Sequence, residues 1–196
     1  MKNKIILASK SKVRKEILNK NGLVCEVEPS NVDEDTVKIS LLKANATPKI
    51  ISKNLAELKA NKVSMKNPTK IVLGADSVID LNGELISKPE NREEAFSILK
   101  KLNAKPHNLI SSVCISKGGS MIWNYTDKAT LIMKEFSDEE LLKYLNKISD
   151  ENLYNYNVYQ IEGEGRNLFT SIDGSEDTIM GLPVEKIKEY LKTQKY

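Results

Sequence analysis

Three short segments carry residue types that could do chemistry: one offers donors to an anion, and two carry acids that could hold a metal or polarise a water. The first, Ala8-Ser9-Lys10-Ser11-Lys12-Val13-Arg14, joins the apolar run Ile5 to Ala8 to a helical stripe of Val13, Ile17 and Leu18. Free backbone N–H groups at a helix start favour anions, and two hydroxyls with a guanidinium add donors. Arg14 is one of only three arginines, and its planar fork matches phosphate oxygens. Ser11 capping a helix beside a solvated Arg14 explains the same residues without a ligand. The second segment, Val72 to Val78, sets Asp76 inside an apolar run. A buried, unpaired Asp is costly, so a position facing a cleft, on a metal or a water, accounts for it; an exposed strand end is the alternative. The third, Asp33-Glu34-Asp35, is either a source of a second metal ligand or a solvated helix start. Lys59 and Lys88 do not stand out among 27 lysines and by themselves read as surface residues. His107, the only histidine, lacks a partner motif for nucleophilic catalysis or metal binding.

These residues need elements to hold them. Ile5 to Ala8 reads as a strand, followed by a helix that Gly22 can close, then a strand over Leu23 to Val27. Apolar spacing between Asp35 and Asn67 is helical, and Pro48 marks the first turn of a new helix, where its missing N–H is harmless. Ile71 to Ala75 and Ser77 to Leu81 read as strand, and Asn82-Gly83 turns the chain into Glu84 to Ser87. Arg92 to Leu102 is helical, and strand-like stretches at Asn108 to Ser116 and Met121 to Glu135 flank Gly118-Gly119. Ser137 and Glu140 have capping-box spacing before Leu141 to Leu145. Leu168 to Ile172 reads as a strand, and Pro183 opens a last helix to about Thr193. Interleaved strands and helices with hairpins predict a mixed α/β sheet.

Composition narrows the partners. A chain of 196 residues with 40% hydrophobic residues suffices for one domain with a substantial core. Apolar runs of about four residues predict no membrane span, and the N-terminal lysines lead into no signal-peptide core. Cys25 and Cys114 are too few for a disulfide framework or a zinc site; they read as core residues and suit a reduced cytoplasm. Thirty basic residues against 27 acids give a net charge of only +3, so no dedicated nucleic-acid binder is expected.

In order, these pieces resemble the Maf-like nucleoside triphosphate pyrophosphatase family, also called septum formation proteins. The resemblance runs through Ile6-Leu7-Ala8-Ser9-x-Ser11-x-x-Arg14-x-Glu16, Val32-Asp33-Glu34, Leu55-Ala56-x-x-Lys59-Ala60 and Gly74-Ala75-Asp76-Ser77-Val78. It continues through Leu81-Asn82-Gly83-Glu84-Leu85-Ile86-x-Lys88-Pro89, Phe136 to Glu140, Tyr159-Gln160-Ile161-Glu162-Gly163 and Gly181-Leu182-Pro183. It implies a single domain over residues 1–196 with a Maf/ITPase-like α/β fold: a long mixed β-sheet with flanking helices, and two lobes around a nucleotide cleft. It also implies hydrolysis of a nucleoside triphosphate to the monophosphate and pyrophosphate with a divalent cation (Mg2+, Mn2+ or Co2+), and a house-cleaning or cell-division-linked role. A homodimer is compatible with it. On this pattern Asp76 activates water, Glu34 and Asp76 hold the metal, and Ser9, Arg14, Lys59 and Lys88 grip the phosphates, with Ser77 and Glu162 also at the substrate.

The chain departs from the pattern at informative places. Lys12-Val13 stands where many relatives have Pro-Arg, Ser77 where Thr is common, and Asn155-Tyr156-Asn157-Val158 where a Lys-Ala-Gly-Ala-like segment is usual. Val13, Ser77 and Glu162 are not the Arg, Thr and Gln of the branch preferring dTTP and UTP. Glu162 resembles the branch acting on 7-methyl-GTP, to which Val13 and Ser77 fit poorly. A nucleotide-binding regulatory protein with little hydrolytic activity is the alternative that these departures leave open.

Overall fold

A computed structural model of the chain describes residues 5–194. The N-terminal run forms β1 (Ile5–Leu7), followed by α1 (Lys12–Lys20), β2 (Cys25–Val27), α2 (Glu34–Lys43) and α3 (Pro48–Lys66). Next come β3 (Val72–Leu81), β4 (Glu84–Ile86), α4 (Arg92–Leu102), β5 (Pro106–Lys117) and β6 (Ser120–Met133). The last third contains α5 (Asp138–Asn146), α6 (Asp150–Tyr156), a 3-10 turn (Glu164–Leu168), β7 (Phe169–Asp173), α7 (Glu176–Ile179) and α8 (Val184–Thr193). Local chemistry places most of these. Ser11, Thr47 and Ser137 each accept from the backbone N–H three residues on, and Ser137 and Glu140 complete a capping box. Asn82 and Gly83 both adopt positive φ, 53° and 90°, as a two-residue hairpin turn requires.

Among the described residues seven strands make one mixed sheet in the order β2-β1-β3-β5-β6-β7, with β4 on β3. β1 runs parallel to β2 and β3, and every other pairing is antiparallel. The helical stretch expected between Asp35 and Asn67 is two helices, with Pro48 at the first helical position of the second. The two strand segments expected around Asp76 are one strand with Asp76 in its middle, not at an exposed end. The short helices α6 and α7 escape the apolar pattern because one or two turns carry too little periodicity to register. The side chains of Asn155 and Tyr156, part of one departure from the family pattern, lie outside the described residues.

Among the described residues two large hydrophobic clusters share the sheet with two small ones under α3. Of the large two, the first gathers Leu99, Leu131, Leu141, Leu153 and Phe169 beneath α4 to α6, and the second gathers Leu7, Leu18, Leu73, Ile115 and Ile187 beneath α1 and α8. Cys114 is buried as expected, whereas Cys25 is only half-buried at the edge of the second cluster. Among the described residues no helix is long and apolar enough to cross a membrane.

His107 is buried against Tyr159 and Phe169 of the first cluster, its Nε2 2.9 Å from the Tyr159 hydroxyl. Burial lowers its pKa from 6.5 to about 4. The imidazole thus stays neutral in the fold while the unfolded chain takes up a proton below pH 6.5, so stability falls as pH drops from 6.5 toward 4. The full loss is about 3 kcal/mol. Thermal unfolding followed between pH 7 and 4.5 is expected to show this slope, and His107→Gln to flatten it.

Candidate active site

The cleft opens where the sheet edge is interrupted. Among the described residues β1 pairs with β3 only through Ile6–Val72 and Leu7–Leu73, and β4 joins the same edge at Ile79 to Leu81. Between them, Gly74 to Val78 have a strand neighbour on the β5 side alone. Ligand sites in open α/β sheets collect beyond the C-terminal ends of parallel strands, and β1 ends here with α1 leading away. The resulting cavity measures about 540 Å³ and is lined by Tyr159 and Ile161 of the first cluster and by Val13, which packs on the second.

Strand alternation sends neighbouring residues of β3 to opposite faces. Gly74 and Asp76 face α3, where Gly74 allows the helix to approach the strand closely. Lys59 of α3 is thereby set against Asp76: its Nζ lies 2.8 Å from Asp76 Oδ1 and 3.0 Å from Glu34 Oε1. Lys59 and Asp76 are each only 5% exposed, so the surface role expected for Lys59 from its type alone is corrected. A lysine can be buried here because two carboxylates compensate its charge. Glu34 is the residue of the acidic run that turns inward, while Asp33 caps α2 through the Thr36 N–H. Burial pushes the Glu34 carboxyl up, but the ammonium of Lys59, with Lys38 and Arg14, more than offsets it and leaves its pKa lowered.

Asp76 Oδ2 is buried without a hydrogen-bond partner among the described residues, although Asp76 lines the cleft. An orphaned oxygen on a carboxylate that shares Lys59 with Glu34 fits a divalent cation. No group of three or more His, Cys, Asp or Glu converges among the described residues, and Mg2+ commonly takes one or two carboxylates together with substrate phosphates.

Arg14 lies across the other face of β3. Its Nε donates to Gly181 O at 3.0 Å, Nη1 to Ala75 O at 3.0 Å and Ser9 Oγ at 3.1 Å, and Nη2 to Ser77 Oγ at 3.0 Å. The Ala75 carbonyl belongs to the interrupted sheet edge, so the guanidinium replaces the missing strand there. Burial draws the Arg14 pKa down, and Asp76 and Glu34 draw it back up. The fork is therefore neither solvated nor simply open to a ligand.

A family model described as "Maf-like protein" matches residues 4–194. The chain belongs to the Maf family. It is similar to a nucleoside triphosphate pyrophosphatase of Pelagibacter ubique, 71% identical over 192 residues that cover 98% of each chain. A 7-methyl-GTP pyrophosphatase of Brucella abortus is 34% identical, covering 98% of this chain and 96% of its own length. The fold resembles that of a HAM1 protein from Coxiella burnetii, with a TM-score of 0.54, 11% identity and coverage of 97% and 99%.

In this Maf protein the remaining expected residues reach the same cleft. Lys88 follows β4 and Glu162 follows α6, both exposed and lining the cavity. Desolvation by the cleft walls lowers the Lys88 pKa, Arg14 and Lys38 push in the same direction, and Glu34 and Asp76 oppose them. Val13, where many relatives carry a cation, lines the cavity and packs on the second hydrophobic cluster. Spacing did hold a signal for Lys59: it stands one turn from Leu55 and from Val63, in line with the buried stripe of α3. The other two arginines are structural. Arg92 donates to the Leu145 and Ile148 carbonyls at the end of α5, and Arg166 pairs with Glu176.

Proposed function

We propose that this protein, as one domain over residues 1–196 of a soluble cytoplasmic chain, hydrolyses a nucleoside triphosphate to the monophosphate and pyrophosphate. The observation carrying this reading is the pairing of an orphaned acidic oxygen, Asp76 Oδ2, with a cationic cleft formed by Arg14, Lys59 and Lys88. The names of the homologues support the same reaction class. Asp76 accepts the proton of a water as it attacks the α-phosphorus. Lys59 holds the Asp76 carboxylate in place through Oδ1, which leaves the two lone pairs of Oδ2, one for that proton and one for a divalent cation. Ser9, Lys59 and Lys88 supply charge and hydrogen bonds to the phosphate oxygens, where negative charge builds in the transition state. A divalent cation held by Glu34 and Asp76 would neutralise the phosphates and polarise the scissile bond. Glu162 and Ser77 line the cleft, and the reading assigns them to the sugar and base.

Pyrophosphate release from a panel of normal and modified nucleoside triphosphates, 7-methyl-GTP included, with Mg2+, Mn2+ or Co2+, tests the reading. Turnover of about 1 per second or faster on at least one substrate is expected. EDTA is expected to suppress it and added metal to restore it. Tight nucleotide binding with no turnover would instead favour the regulatory alternative. The near-neutral charge gives salt-sensitive DNA binding no support.

A further inference from the structure

We propose that Ser111, which lies behind the cleft floor and is fully buried, is a positioning residue that sets the Arg14 fork and, through it, the direction of the Ser9 hydroxyl. The inference rests on the phosphate-binding reading of the cleft. Ser111 on β5 stands directly opposite Ser77 on β3 in the sheet register. A serine has one hydroxyl proton. Ser111 spends it on the Thr178 carbonyl, 2.7 Å away, because a carbonyl can only accept. In the 2.9 Å contact between the two serines, Ser77 therefore donates and Ser111 accepts. The Ser77 oxygen is then left to accept from Arg14 Nη2 at 3.0 Å. A polarised chain thus runs from the guanidinium through Ser77 and Ser111 to the Thr178 carbonyl, and each bond strengthens the next in this buried setting. The far end is anchored: the Thr178 hydroxyl donates to Asp127 of β6 at 2.6 Å.

The other arm of the fork faces the cleft. Ser9 Oγ accepts from Arg14 Nη1 at 3.1 Å and from the Ser11 N–H at 3.3 Å. With both acceptor positions used, the Ser9 proton is directed to a further acceptor, and Ser9 lines the cavity. A phosphate oxygen is the acceptor that this cationic site calls for. Without Ser111, the Ser77 hydroxyl turns to its alternative acceptor, the Gly181 carbonyl 3.5 Å away, which already receives Arg14 Nε. The fork then loosens from both the sheet edge and Ser9.

A double-mutant cycle in the full-length protein tests this. Ser111→Ala is expected to lower kcat/KM for pyrophosphate release about tenfold, mainly through KM. Arg14→Gln is expected to cost about 100-fold, and Ser111→Ala to add less than twofold in that background. Ser111→Thr, which keeps the hydroxyl, is expected to stay nearer the wild type than Ser111→Ala. Equal factors for Ser111→Ala in both backgrounds, or no loss in either, would overturn the proposal. Should Ser111→Ala not fold, Ser111→Cys, close in size but a weak acceptor, replaces it in the cycle. The same cycle is read by the affinity for inorganic tripolyphosphate. A wild-type protein with no pyrophosphate release defeats the functional reading, while the tripolyphosphate cycle still decides the role of Ser111.

Discussion

Asp76→Asn is expected to reduce pyrophosphate release by about 100- to 10,000-fold, the usual contribution of a positioned general base. Asparagine retains the shape of the side chain and can still accept from Lys59 through its carbonyl oxygen, so the fold should survive. What it loses is the proton acceptor and the anionic oxygen at Oδ2, the atom left without a partner in a buried position. Lys59 keeps Glu34 as a counter-charge at 3.0 Å, which limits the penalty of the lost carboxylate. Nucleotide affinity measured in the absence of divalent metal should change far less than turnover. Near-wild-type kcat in Asp76→Asn would remove Asp76 from the chemistry and leave the cleft a binding site only.

Gly74→Ala should cost about 3 kcal/mol or more of stability, at the upper end of overpacking effects. A Cβ at this position would lie 2.2 Å from the Ala56 carbonyl oxygen, 2.7 Å from the Ala60 nitrogen and 2.9 Å from the Ala60 Cβ. Two of these neighbours are helix backbone atoms, which cannot rotate aside, so α3 as a whole has to back away from β3. That displacement reaches the site, because Lys59 rides on α3 and Asp76 lies two residues along β3. The variant is therefore expected to lose stability in urea unfolding and, at temperatures where it remains folded, to lose kcat as well. Ala60→Gly should not rescue it, since the closest contact is with Ala56. An unchanged urea midpoint would show that the helix can shift freely, and the account of how Asp76 is positioned would fall.

The residues differ in how far local sequence could carry them. Ser11, Thr47, Ser137 and the Asn82-Gly83 turn act on backbone within three residues, so their roles follow from spacing. Asp76 is legible as an anomaly, a charge within an apolar strand, but not its pairing with Lys59, 17 residues away. Arg14 is legible as a scarce cation at a helix start. Apart from Ser9, its acceptors lie 61, 63 and 167 residues away at Ala75, Ser77 and Gly181, and they make the fork a clasp joining α1, β3 and the turn before α8. His107 lacks a partner motif because its partner, Tyr159, is 52 residues distant.

By itself, then, the chain's order of residues determined the alternation of strands and helices, their caps and turns, and an ordered set of motifs resembling one family. Periodicity and capping are properties of neighbours, and a motif order needs no coordinates. Only the tertiary structure decided which lysine among 27 is buried at the acid, which oxygen of Asp76 is left unpaired, and which way the serine protons run. Those are consequences of strand register and of the close approach of α3 to β3 at Gly74, which bring together groups that the sequence keeps far apart.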